Sequence, residues 1–323
     1  MNITRYQTGT IIRSGLIFCF MILPFLLAAQ SFGQGYPGKN GPQAKPDKKW
    51  STFIRGGYVY QFGTDLDNSE GSFTADRFFV QPGIVYAPDH TRSFSIAFGY
   101  GYDGYDFKGE NGFAALHPWD DIHSFRLSAP IRVNKGQNWS FLVVPTVRVT
   151  GEKSADLGDS LTGGGFTGFA YRFNERLTIG PGLGVITQLE DDASIFPVLI
   201  INWKITDTIS LETGRGLAAT QGPGISLNWS ITEKLLLTLG GRYEKLRFRL
   251  ADTAAYPGGI GEDKSFPVVG GITFIFNSSA KVSLIGGIET AGELQLEDHD
   301  GKVLKQQDYE NAAFLGFSFY FRF

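Results

Sequence analysis

Apolar side chains alternate with small or polar ones, two residues at a time, from Trp50 to the C-terminus at Phe323. The clearest run is Arg92–Phe107. Phe94, Ile96, Phe98, Tyr100 and Tyr102 share one parity, and Ser93, Ser95, Ala97, Gly99, Gly101 and Asp103 share the other. Side chains of a strand point alternately to its two faces, so this segment has one apolar face and one small or polar face. The C-terminus repeats the pattern. Ala313, Leu315, Phe317, Phe319, Phe321 and Phe323 face one way, and Gly316, Ser318, Tyr320 and Arg322 the other. Similar segments begin near Trp50, Ser72, Ile122, Trp139, Gly163, Leu177, Ile195, Ile209, Gly224, Leu235, Ser265 and Lys281. Together they predict an all-β chain of about 14 strands. The segment 195–205 is apolar on both parities (Phe196, Val198 and Ile200 against Ile195, Leu199 and Ile201), which keeps 12 strands as the alternative.

The connections alternate in length. Pro88–Thr91, Asn134–Asn138, Asn174–Arg176, Thr206–Thr208, Thr232–Lys234 and Asn277–Ala280 are short. Thr64–Gly71, Lys108–Asp121, Gly151–Leu161, Gly216–Pro223, Ala251–Asp263 and Glu297–Tyr309 are longer and acidic or Gly-rich, while Glu190–Ser194 is compact. A weak repeat marks the short turns: YRFNERLTIG, WKITDTISLE, WSITEKLLLT and FIFNSSAKVSLIG. Short turns at one end and long loops at the other characterise a transmembrane antiparallel up-and-down β-barrel. An even strand count puts both chain ends on the short-turn, periplasmic side.

The N-terminus fits export. Arg5 and Arg13, with no acid among the first 15 residues, precede the apolar run LIFCFMILPFLLAA from Leu16 to Ala29. This is a signal-peptide pattern, too short for a spanning helix and interrupted by Pro24. We expect a signal over residues 1–33, a periplasmic tail over 34–49 and the barrel over 50–323. The single cysteine, Cys19, lies inside the apolar run, so the mature chain has no disulfide and no thiolate metal site. Gly makes up 42 of 323 residues, about 13%, and aromatics 14%, which excludes disorder over the whole length. A net charge of −3 gives no reason to expect nucleic acid.

With the outward parity set by aliphatic residues, Trp50, Trp139, Trp203 and Trp229 all fall outward at the short-turn ends of their strands. Indole prefers the membrane–water interface, where an apolar ring meets a polar edge, so these four are expected to anchor the barrel there. The export signal, the alternating strands, the two turn lengths and the terminal FLGFSFYFRF together resemble Gram-negative outer-membrane β-barrel proteins. That resemblance implies that Phe319, Phe321 and Phe323 are the recognition signal for the barrel-insertion machinery. It also makes that machinery and outer-membrane lipid the expected partners. The segment from Lys264 (KSFPVVGGITFIF…KVSLIGGIETAGELQLED) is similar to a barrel family known only as a domain of unknown function.

The inward parity carries Arg55, Arg77, Arg126, Arg132, Arg148 and Arg172 in the first half. In the second half it carries Glu212, Glu244, Glu289 and Glu293, together with Lys204, Arg242 and Arg322. Charges inside a barrel must be paired or hydrated. One expectation is therefore a hydrated pore with a transverse field, passing small polar solutes. The other is a lumen stapled shut by ion pairs, in a barrel that acts structurally or through its long loops. A third is a hydrolase with a rim site, in which His117 with Asp120 and Asp121 meets the Asp298-His299-Asp300 loop. Because His123 and Ser124 are adjacent in a strand they point to opposite faces and cannot pair. No GxSxG, HExxH or P-loop motif occurs. Gly180, Gly182 and Gly184 imitate part of a dinucleotide fingerprint, but they lie inside a strand and open no helix. The Asp65–Gly71 loop places its Gly one position late for an EF-hand. No cofactor or metal is implied.

Overall fold

The computed structural model describes residues 49–214 and 224–323. The expected signal, the tail before Lys49 and the Gly216–Pro223 connection lie outside the described residues. The first seven strands are β1 (Trp50–Asp65), β2 (Ser72–Tyr86), β3 (Arg92–Lys108), β4 (Asp121–Ser128 continued by Ile131–Lys135), β5 (Trp139–Glu152), β6 (Leu161–Arg172) and β7 (Leu177–Gln188). The rest are β8 (Asp191–Lys204), β9 (Ile209–Gly214), β10 (Gly224–Thr232), β11 (Leu235–Arg242 continued by Glu244–Arg249), β12 (Ile260–Asn277), β13 (Ala280–Glu297) and β14 (Val303–Tyr309 continued by Ala312–Arg322).

Each strand pairs antiparallel with its neighbours in sequence, and β14 returns to β1 with Phe53 opposite Arg322 and Gln61 opposite Phe314. The result is a closed 14-strand antiparallel barrel, as the alternation predicts, and the 12-strand alternative falls. Segment 195–205 is a wall strand all the same. Its inward Phe196 and Ile200 are buried on the lumen side, while Ile195 and Leu199 are exposed on the outside.

The repeat at the short turns has a local cause. Asn174, Thr206, Thr232 and Asn277 each accept, through a side-chain oxygen, the backbone N–H two residues on, at 2.8, 3.2, 3.2 and 2.8 Å. A short polar side chain at the start of the turn thus substitutes for a backbone turn bond.

The outer face is apolar in every part of the circumference. Ile96, Leu127, Leu199, Leu239, Leu284 and Leu315 are each more than half exposed, and Trp50, Trp139, Trp203 and Trp229 lie on the same face near the short turns. A continuous exposed apolar band far exceeds what a water-soluble surface tolerates, and closure leaves no strand edge unpaired. No described helix is long and apolar enough to cross a membrane. The chain crosses with strands.

Glycines on the inward parity let strands pack closely. Gly180 faces the lumen on β7, and a Cβ there would fall on the backbone carbonyl oxygen of Phe169. Gly180→Ala is therefore expected to cost about 1–3 kcal/mol, the usual cost of overpacking. The urea midpoint of the barrel, folded in detergent micelles, measures it. An unchanged midpoint would show that the β6–β7 contact relaxes freely.

At the long-loop end, four adjacent strands break step at one level. β11 is interrupted at Tyr243, β12 shifts register between Lys264 and Phe266, β13 carries Ala291 at φ 50°, and β14 is interrupted at Glu310 and Asn311. Bulges and breaks of this kind bend a sheet. Beyond them the chain is buried on both faces from Arg247 to Leu250 and from Ile260 to Asp263. Arg249 then forms a parallel bridge with Gly151 of β5, on the opposite wall. The upper ends of β11–β14 therefore leave the wall and fold across the mouth as a four-stranded flap. This corrects the expectation for two long loops. Residues 260–263 and 303–309 are strand, because the flap supplies ladder partners to segments that look like acidic loops in isolation.

Candidate functional site in the lumen

Beneath the flap lies a core of aromatic and aliphatic side chains. Phe73, Tyr105, Phe107 and Ile122 come from the wall, and Leu66, Phe113, Ala114 and Trp119 from two loops that dip inward. Phe248, Leu250, Leu294, Leu296 and Tyr309 come from the flap. Trp119 is 1% exposed and meets Tyr105, Phe107, Phe113 and Phe248 edge-on at centroid distances of 5.9, 5.6, 5.7 and 5.2 Å. The loop Lys108–Asp121 thus serves as an internal plug. Inward apolar groups also meet lower in the lumen, Val59, Val269, Ile285 and Phe314 on one side and Leu142, Val144, Phe166, Ala170 and Ile200 on the other. Trp119 was outside the expected site residues. The available signal was an indole inside a polar loop, where exposure would be unfavourable.

Directly against the aromatic core sits a charged network. Arg77 Nη1 donates to Glu289 Oε1 at 2.9 Å and Nη2 to Asp263 Oδ2 at 3.1 Å, with Asp103 Oδ1 3.8 Å from Nε. Tyr105 and Tyr309 donate their hydroxyls to Asp263 at 2.8 and 3.1 Å. Five strands, β2, β3, β12, β13 and β14, are joined through these groups. A second network holds the flap. Arg247 donates to Glu262 at 2.9 Å, to Glu297 at 2.5 Å and to the carbonyl of Leu189 at 2.9 Å. Arg249 donates to Glu190 at 2.6 Å and to the carbonyls of Gly258 and Asp159 at 2.8 and 3.1 Å. The flap is thereby bonded to the β5–β6 loop and to the β7–β8 turn.

Of the ten inward charges expected from sequence, Arg77, Arg126, Arg148, Glu244 and Glu289 line one partly open cavity of about 70 Å³ in the lumen. One water needs about 10–15 Å³ of such space, so the cavity has room for a few waters or one small ion. Asp103, Ser124, Lys245 and Asp263 share its lining. Glu293 pairs with Lys264 on the flap. Arg55 lies elsewhere, buried and donating Nε to Gln81 at 2.6 Å. Arg132, Arg172 and Glu212 are half-buried outside the cavity, Glu212 with Ser210 Oγ 3.5 Å from its carboxylate. Lumen charges from both halves of the chain therefore meet at one place, and the rest are distributed along the wall.

The histidines take separate positions. His123 Nδ1 lies 2.9 Å from the Tyr100 hydroxyl on β3. His117 closes a 3₁₀ turn in left-handed conformation through its backbone N–H, and His299 Nδ1 lies 3.3 Å from Asp300, its own neighbour. Among the described residues no cluster of His, Cys, Asp and Glu is arranged to hold a metal.

No protein-family model matches this sequence, and no curated protein does. Solved structures resemble it in shape. An outer-membrane channel from Pseudomonas putida F1 aligns with TM-score 0.50 at 11% identity, over 88% of this chain and 100% of that one. A Pseudomonas aeruginosa FadL homologue aligns with TM-score 0.43 at 11% identity, over 85% of this chain and 90% of the other. The toluene transporter TodX of P. putida aligns with TM-score 0.42 at 9% identity, over 86% and 91%. The first of these likenesses establishes a shared outer-membrane barrel fold. Cargo is a separate matter.

Proposed function

We propose that this protein is an outer-membrane channel for small polar solutes, described here in its closed state. The reading rests on one observation: Arg77, Arg126 and Arg148 from one wall and Glu244 and Glu289 from the other meet at a shared cavity in the lumen. Opposed charges across a narrow lumen set up a transverse field that selects small polar solutes. The aromatic plug and the flap account for the closed state, and passage requires that they move. The outward Trp50, Trp139, Trp203 and Trp229 support a membrane setting, with the short turns in the periplasm. In this reading Phe319, Phe321 and Phe323 present the insertion signal, and the residues before Lys49 supply export and a periplasmic tail.

A second reading follows from the aromatic core itself: a sealed barrel that acts through its long loops. Planar bilayers separate the two. The channel reading expects brief unitary steps from the wild-type barrel, and longer and larger ones once residues 110–118 are replaced by a Gly-Ser bridge. A silent record from both proteins, each shown to be folded by heat-modifiable gel mobility, overturns the channel and leaves the sealed barrel.

A further inference from the structure

Two of the lumen arginines stand apart from the charge pairing around them. Arg126 on β4 and Arg148 on β5 are directly opposite in the ladder, and both line the cavity. Like charges in that arrangement repel, and the strands tolerate it only with a counter-charge nearby. Asp103 and Glu244 lie within electrostatic reach of these arginines, but no ion pair forms between them, and the cavity carboxylates have closer partners. Asp263 and Glu289 take Arg77 and the two tyrosines, Asp103 lies beside Arg77, and Glu244 pairs with Arg242 at 2.7 Å. Lys245, also at the cavity, is paired with Glu262 at 2.9 Å. Arg148 is 7% exposed, and its Nε is buried with no hydrogen-bond partner among the described residues. A buried guanidinium donor left unpaired is costly, so this geometry asks for an acceptor that the chain itself does not supply.

The space for that acceptor comes from a missing side chain. Gly101 faces the lumen on β3, opposite Ser124, and a Cβ there would make ordinary contact at 3.5 Å with the Ser124 Cβ. Glycine at this position keeps the cavity open beside the two guanidinium groups. Guanidinium forks match the two oxygens of a carboxylate, sulfate or phosphate.

From this juxtaposition we infer that Arg126 and Arg148, with Ser124 and the gap over Gly101, form a binding site for one small oxyanion inside the lumen. The site rests on the same cavity as the channel reading but does not require conduction. It gives the lumen a preference for anionic solutes of carboxylate or sulfate size, bound between paired cations.

The test is calorimetric titration of the full chain in detergent micelles with sodium sulfate and, separately, sodium acetate at constant ionic strength. The expected result is saturable binding of one anion per barrel. Arg126→Gln and Arg148→Gln are each expected to weaken it about tenfold or more, as loss of charged hydrogen bonds does. Gly101→Val is expected to abolish it by filling the space with both arginines intact. Lys302→Gln, on an exposed loop, is expected to bind as wild type does. Should either Arg variant fail to fold, Gly101→Val and Arg148→Lys carry the test, the latter retaining charge but losing the fork. Absence of saturable binding to the folded wild type, or unchanged binding in the Gly101→Val and double Arg→Gln barrels, overturns the site. A barrel that binds sulfate yet stays silent in bilayers keeps the site and loses the channel. One that conducts without binding does the reverse.

Discussion

Arg77→Met is expected to lower the stability of the folded barrel by about 3–5 kcal/mol, the range for removing one partner of a buried ion pair. The size follows from what remains. Glu289 and Asp263 are 2% and 5% exposed, and both take hydrogen bonds from the guanidinium that the variant lacks. Tyr105 and Tyr309 still donate to Asp263, but they bring no positive charge. The companion variant Arg77→Met/Asp263→Asn/Glu289→Gln removes the orphaned carboxylates and is expected to recover most of the loss, because a buried network replaced as a whole is often close to neutral. Urea unfolding in micelles, followed by tryptophan fluorescence, reads both. A loss below about 1 kcal/mol for Arg77→Met would mean that water reaches these carboxylates and that the network staples nothing.

Trp119→Ala is expected to cost about 3–5 kcal/mol, the range for truncating a buried aromatic. Four rings lose an edge-on partner at once, and the cavity forms between a loop, wall strand β3 and the flap, where collapse would have to move the wall. The substitution also removes the centre of the plug. Conductance in planar bilayers should therefore rise as stability falls, whereas Arg77→Met acts chiefly on stability. Trp119→Phe separates ring packing from the indole N–H, which has no hydrogen-bond partner among the described residues. It is expected to keep the plug and to lose far less stability than Trp119→Ala. Equal losses from the two variants would show that the site cannot repack around any smaller ring.

The wall of the barrel is legible in the sequence because each wall residue answers to a local rule. Alternation sets the face, Asn174, Thr206, Thr232 and Asn277 set the short turns, and aliphatic residues set the outward parity. Arg126 and Arg148 could be assigned to the inward face by the same parity. That they stand opposite one another follows from ladder register across β4–β5, which alternation alone leaves open. The flap was not legible, and the reason is physical. Residues 260–263 and 303–309 are acidic or mixed, as exposed loops are, and become strands only through pairing with one another and cover from the plug. Phe113 and Trp119 were likewise hidden. A loop residue's destination depends on a space that exists only after the wall has closed.

The bridge between Arg249 and Gly151 joins strands far apart in sequence and on opposite sides of the ring. A cylinder with a tie across its mouth has a fixed width there, so lateral pressure on one wall is passed directly to the other. The tie also imposes an order on assembly. It cannot be set until both walls stand, and the contact of Trp119 with Phe248 of the flap waits for it. The flap therefore closes the interior only in a barrel whose two walls are already in register.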